Sequence, residues 1–165
     1  MILADTNIVS TFARVSALDC VRQVFRADRL HVTPATLGEL QRAIEAGCEF
    51  LAATVAAIRS GTGFELVELR RDEILAVRDL PRSLGAGEAE AIAVCLKRPG
   101  TGLLTNDKRA RNFCRQQQIL CLDLPELLRA IWVTGVRPKE VVRELLARVE
   151  SEQGMVIKRK EDVFR

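Results

Sequence analysis

Residues 84–107 read LGAGEAEAIAVCLKRPGTGLLTND, and this stretch decides the fold class. Gly87 to Lys97 is an alanine-rich helix, ended by Pro99 and Gly100. Gly102 to Thr105 is a short apolar strand, with Asn106 and Asp107 directly after it. Asp107 to Gln117 is helical again. A helix that feeds a short apolar strand, which feeds another helix, is the unit of a parallel sheet covered on both faces.

The same alternation extends outward. Upstream, Met1 to Ala4 is a buried strand ending at Asp5, and Thr6 or Asn7 is expected to cap a helix through Ile8, Val9 and Phe12. A helix carrying Leu18, Val21, Val24 and Phe25 follows. Leu30 to Thr33 is the second strand, and Pro34 opens a helix with Leu37, Leu40 and Ile44 on one face. Phe50 to Ile58 is helical until Gly61 and Gly63, FELVEL (64–69) alternates as a third strand, and Asp72 to Leu80 is a short helix. Downstream, Ile119 to Leu122 is the fifth strand, and Pro125–Val133 and Pro138–Glu150 are helices. The tail from Met155 to Arg165 carries a short β-prone piece. The expected architecture is α/β: a three-layer α/β/α sandwich around a mostly parallel five-stranded sheet. Residues 1–135 read as the main domain, and residues 136–165 as a helix and tail that belong to it or form an interface arm.

The chain has 165 residues, of which 48% are apolar and 28% charged, enough for one domain with a real core and too apolar for a disordered chain. No apolar run approaches the ~20 residues of a membrane span. The opening MILADTN lacks the basic region of a signal peptide. The net charge of +3 is too small to imply a nucleic-acid partner by itself, and the excess of Arg over Lys fits a GC-rich genome as well as phosphate recognition. Cys20, Cys48, Cys95, Cys114 and Cys121 are odd in number and widely spaced, without a C-x-x-C pair. This argues against a disulfide framework or a zinc site and for a reducing, cytoplasmic setting. Cys95, Cys114 and Cys121 read as small buried hydrophobes. His31 is the single histidine and sits in a strand-like run, so histidine-based nucleophilic catalysis has little to work with.

The acids stand out. In open α/β sheets, active sites lie beyond the carboxyl ends of the strands. Asp5 follows the first strand and Asp107 the fourth. Glu39 lies among core positions in PATLGELQRAI, and Glu88 lies in the first turn of its helix. Each has a plain structural alternative: Asp5 and Asp107 as helix caps, Glu88 as a complement to a helix dipole, Glu39 on an exposed edge. Together, with no matching cluster of bases, the four acids suggest a site for a divalent cation, since carboxylates are the hard oxygen ligands that Mg2+ and Mn2+ prefer. A phosphatase of the D-x-D type is disfavoured because Asn7 stands where the second acid is needed. A receiver-type site is disfavoured by the lack of adjacent acids near the start. The glycines Gly85 and Gly87 do not follow a strand, as a nucleotide-binding loop requires.

Four pieces, MILADTN, TPATLGELQ, LGAGEAEAIAVCL and LLTNDKRARNFC, make the chain similar to the PIN-domain family of metal-dependent ribonucleases, which includes toxins of the VapC type. The GEAEAIA piece looks like one branch of that family. The segment after T-N-D is longer and more basic than in many members. The resemblance implies catalytic roles for Asp5, Glu39, Glu88 and Asp107, with Glu90 a poorer third acid because two residues along a helix point to nearly opposite faces. It implies Mg2+ or Mn2+ held by Asp5, Glu88 and Asp107, with Glu39 a direct or water-mediated partner. Asn7 and Thr105 would orient these groups, or simply cap and turn. Lys108 and Arg109 would contact the RNA backbone, with Arg111 and Arg115 on the same helix more in keeping with a solvated face. Trp132 reads as a core or interface residue. The resemblance further implies RNA hydrolysis, an antitoxin partner if the protein is a toxin, and a homodimer. The alternative is a non-catalytic PIN-like nucleic-acid-binding or scaffold module.

Overall fold

A computed structural model of the chain describes residues 1–154 and 156–165. Its sheet has five short strands: β1 (Ile2–Ala4), β2 (Leu30–Val32), β3 (Phe64–Leu66), β4 (Gly102–Leu104) and β5 (Cys121–Leu122). All neighbours pair in parallel, in the order β3-β2-β1-β4-β5. Leu3 stands between His31 on one side and Leu103 on the other. The helices are α1 (Thr6–Arg14), α2 (Leu18–Val24), α3 (Pro34–Glu45), α4 (Ala52–Ser60), α5 (Arg71–Val77), α6 (Ala86–Lys97), α7 (Lys108–Gln116), α8 (Leu124–Val133), α9 (Lys139–Gln153) and α10 (Lys160–Val163), with a 3-10 turn at Glu49–Leu51. The protein is therefore α/β, with helices on both faces of a parallel sheet, as its sequence leads one to expect.

Side chains alternate across the strands, and this divides the core in two. Ala4 and Leu104 face one core with Ile8, Phe12, Leu127 and Ile131. Leu3 and Leu103 face the other with Ile92, Val94 and Cys114. Helix α9 buries Val142, Leu145, Leu146 and Val149, the i, i+3, i+4, i+7 stripe of an amphipathic helix, in the first core. No helix among the described residues is long and apolar enough to cross a membrane.

Several local expectations need correction. Strand β3 stops at Leu66, short of Leu69. The Val67 N–H still reaches Val32 O, but β2 then turns into α3 at Thr33 and leaves nothing to pair with. Asp5 caps α1, as its plain structural alternative had it, in place of Thr6 or Asn7. Cys95 and Cys114 are buried, whereas Cys121 is only partly so. Met155, the first residue of the tail in which a β-prone piece was expected, lies outside the described residues. Residues 156–165 contain no strand, because this segment docks against helices and away from the sheet edges. Ile157 and Val163 are buried, and the Trp132 indole N–H donates to Val163 O at 2.7 Å.

Candidate active site

From β1 the chain runs outward to β2 and β3, while β4 and β5 lie on the other side, so the sheet switches direction between β1 and β4. The carboxyl ends of those two strands are where such sheets open a crevice. Asp5 stands at the end of β1 and Asp107 just beyond β4, and the Asp5 N–H donates to Leu104 O at 3.0 Å, holding the two ends together.

Asp5 is 1% exposed. Its Oδ1 accepts the Ile8 N–H at 2.7 Å, so it does cap α1. Among the described residues, its Oδ2 is the one buried side-chain polar atom without a hydrogen-bond partner. A cap uses one oxygen and leaves the other unexplained, and a buried orphan acceptor is costly. Burial pushes the Asp5 pKa up to about 7. The Glu88 and Glu39 carboxylates push the same way, while the Ile8 N–H and the nearby Thr105 hydroxyl, which lies outside hydrogen-bonding geometry, pull down.

Glu39 and Glu88 come from two helices whose first turns meet. The Glu39 carboxylate on α3 accepts the Gly87 N–H of α6 at 3.0 Å, and the Glu90 carboxylate on α6 accepts the Ala35 N–H of α3 at 2.8 Å. Each helix thus satisfies one orphan donor at the other's N-terminus. This contact depends on Gly87, where an added Cβ would stand 2.9 Å from Thr36 Oγ1 and 3.0 Å from Glu39 Oε2. The second oxygen of Glu39 accepts the Thr6 hydroxyl. Glu39 is therefore engaged at both oxygens, and Glu90 is taken up by the helix contact. Glu88 is half-buried. Its pKa is raised, by burial first and then by the Glu39 and Asp107 carboxylates. Asp107 is exposed and caps α7 by accepting the Ala110 N–H at 2.7 Å. The four predicted acids therefore lie at one edge of the sheet, close enough for Asp5 and Glu88 to feel the others.

The supporting residues divide. Thr105 is buried, and its hydroxyl accepts the Asp107 N–H at 3.0 Å. Asn7 accepts from Asn106 Nδ2, and Asn106 Oδ1 accepts the Leu124 N–H, each at 2.9 Å, so these amides tie α1 to α8. Lys108 is exposed at the start of α7. Arg109 turns away, its Nη1 donating to Ser83 O in the loop before α6 at 3.2 Å. Arg115 is exposed, whereas Arg111, expected on a solvated face, is half-buried against Asp123.

Sequence reasoning missed Thr6, which fixes Glu39, and gave no role to Gly85. An added Cβ at Gly85 would stand 2.1 Å from Glu88 Oε2. The signal for it was present in the paired glycines of LGAGE. The donor chemistry and the orphan Asp5 oxygen suit a hard divalent cation. Among the described residues, no three His, Cys, Asp or Glu side chains close to metal-ligating geometry. That spacing is compatible with Mg2+, which keeps several waters and takes one or two carboxylates together with substrate phosphates.

Fold and site define a parallel α/β domain with an acid-lined carboxyl edge at its switch point. A family model described as a PIN domain (DUF3368) matches residues 1–162, and the chain belongs to that family. PIN domains are generally nucleases and typically use divalent metals. No curated protein and no solved structure matches the chain.

Proposed function

We propose that this protein is a metal-dependent endoribonuclease that hydrolyses RNA phosphodiester bonds at the edge formed by Asp5, Glu39, Glu88 and Asp107. The observation that carries this reading is the buried, unpartnered Oδ2 of Asp5 at the switch point, near enough to the half-buried Glu88 for that carboxylate to raise its pKa. Asp5, Glu88 and Asp107 would hold the cation. Mg2+ or Mn2+ in that place supplies charge neutralisation on the phosphate and an activated water. The chain's own groups do the rest. Thr6 and the Gly87 N–H hold Glu39 beside Glu88 and Asp5, which concentrates negative charge at one point. The Ile8 N–H holds Oδ1 of Asp5 and leaves Oδ2 without a partner in the protein. Thr105 orients the Asp107 backbone, and Asn7 with Asn106 holds α1 against α8 so that the crevice keeps its width.

The test is cleavage of a labelled single-stranded RNA by purified protein with Mg2+, with Mn2+ and with EDTA. Cleavage by wild type in either metal, lost in EDTA and reduced at least ~100-fold in Asp5→Asn, is the expected result. RNA bound without cleavage in any metal would favour the non-catalytic module. The reading extends to a toxin held in check by an antitoxin and acting as a homodimer. Growth arrest on induction of wild type, absent with Asp5→Asn, is its readout.

A further inference from the structure

Beside the acid cluster, a groove of about 530 Å3 opens between the start of α7, the start of α8 and the turn leading into α10. Four cations line it: Lys108 and Arg111 from α7, Lys158 and Arg159 from the C-terminal turn. These two segments are distant in sequence, and Asp123 joins them. It is 2% exposed, and its Oδ1 caps α8 by accepting the Glu126 N–H at 3.0 Å. Its Oδ2 pairs with Arg111, and Arg159 Nη1 stands 3.8 Å from the same oxygen. The turn itself is anchored. Ile157 is buried and donates its N–H to Glu150 Oε1 at 2.9 Å, and Arg159 Nε donates to Asp162 at 2.8 Å.

The groove borders the acids, since Asn106 and Lys108, which flank Asp107 in the chain, both line it. Asn7 lines it and also lines the neighbouring opening that contains Glu88. A cluster of carboxylates repels a phosphate backbone, so a nuclease of this charge pattern needs cations on the flank to hold the chain in place. We infer that this groove binds the RNA backbone next to the cleaved bond, and that the C-terminal turn Lys158–Arg159 is part of the substrate site. Asp123 sets the spacing of the Arg111 and Arg159 guanidinium groups before substrate arrives, which suits phosphates at fixed intervals along a chain. The inference rests on the ribonuclease reading above and names the segment that would grip the substrate.

Binding can be measured apart from cleavage, by anisotropy of a fluorescent single-stranded RNA with the full-length Asp5→Asn protein over a series of KCl concentrations. Adding Lys158→Glu and Arg159→Glu is expected to weaken binding on the order of tenfold or more, and to flatten the slope of log K against log salt by about 0.7 for each lost phosphate contact. Lys108→Gln with Lys158→Gln should act in the same direction while the thermal melt stays unchanged, which separates charge loss from an unseated tail. Arg59→Glu with Lys97→Glu makes the same charge change near the ends of α4 and α6, at the opposite edge of the sheet, and should bind as the Asp5→Asn parent does. Unchanged binding in both groove variants, with the parent binding RNA, overturns the groove alone. No RNA binding by the parent overturns the groove and the ribonuclease reading together.

Discussion

Glu73 on α5 and Asp5 after β1 are both buried carboxylates, at 0% and 1% exposure, but their surroundings are opposite. Glu73 takes Arg98 Nε at 2.6 Å and Nη2 at 2.8 Å, and its Oε2 also accepts the Arg70 N–H at 2.7 Å. The Arg98 bonds hold its pKa below the usual glutamate range. Asp5 has one backbone bond, an oxygen with no partner and two further carboxylates nearby, and its pKa is pushed up to about 7. The fold thus shows at Glu73 how it settles a buried acid. On the proposed reading, the absence of any such arrangement at Asp5 marks a group kept for a ligand, where Glu73 is kept for structure.

The largest expected effect lies at the settled acid. Glu73→Gln leaves the Arg98 guanidinium facing an amide and should destabilise the protein by roughly 3–5 kcal/mol. Urea denaturation at neutral pH measures it. RNA cleavage per folded molecule should survive, since Glu73 is far from the acid edge. In wild type, the stabilising contribution of Glu73 is present above its unfolded pKa and lost as pH falls through its lowered folded pKa. A loss of cleavage greater than the loss of folded protein would break the contrast between the two sites.

Asp5 has the opposite sign. Its folded pKa, about 7, lies above the unfolded value of 3.8, so between these values the folded state holds a proton that the unfolded state has released. The contribution of this group to metal-free stability therefore falls as pH rises, and is fully lost above pH 7. Asp5→Asn removes that dependence while keeping an oxygen for the Ile8 N–H. A shift of this size sets a ceiling of about 4 kcal/mol, and relaxation of the ionised site brings the expected gain at pH 8 to roughly 2 kcal/mol. Melting curves in EDTA at pH 5 and pH 8 should show the variant gaining on wild type as pH rises, with the larger margin at pH 8. Added Mn2+ at pH 8 should then raise wild type more than the variant, which has lost one of the three charged carboxylates proposed to hold the cation. A variant less stable than wild type at both pH values would make Asp5 an ordinary cap.

What could be read from the sequence follows the same division. The strands and their helices were legible because their apolar runs sit between proline, glycine and acidic punctuation, as at GTGLLTND. The edge to which Asp5 and Asp107 belong followed from their places directly after apolar strands of a parallel sheet. Glu39 and Glu88 were found as acids among core positions, but their contacts were not, because these depend on how two helix starts approach in space. The Thr6–Glu39 bond and the mutual capping by Glu39 and Glu90 span intervals of 33 to 55 residues and leave no local pattern. Arg111 and Asp123 were hidden for the same reason. Arg111 looks solvated on its own, and only the fold brings it to Asp123.

The smallest effect on stability tests the finest point, the placing of Glu88. Gly85 has φ −66° and ψ 160°, a conformation open to any residue, so backbone freedom does not require glycine there. Space does, since the Glu88 carboxylate occupies the place of a Cβ. Glycine also forgoes the side-chain cap that serine or aspartate would give α6. Gly85→Ala should change stability by no more than about 0.5 kcal/mol, since a slightly poorer cap is offset by a less flexible unfolded chain. Glu88 can swing away at little expense, because the clash falls on the far end of its side chain. That movement takes one carboxylate out of the cluster. RNA cleavage should drop by about tenfold to a hundredfold, the upper figure being the scale set by misplacing a positioned group by about 1 Å. Higher Mg2+ should recover part of the loss if Glu88 helps to hold the cation. Wild-type cleavage in Gly85→Ala would remove Glu88 from the proposed cation ligands, leaving Asp5 and Asp107 to hold it.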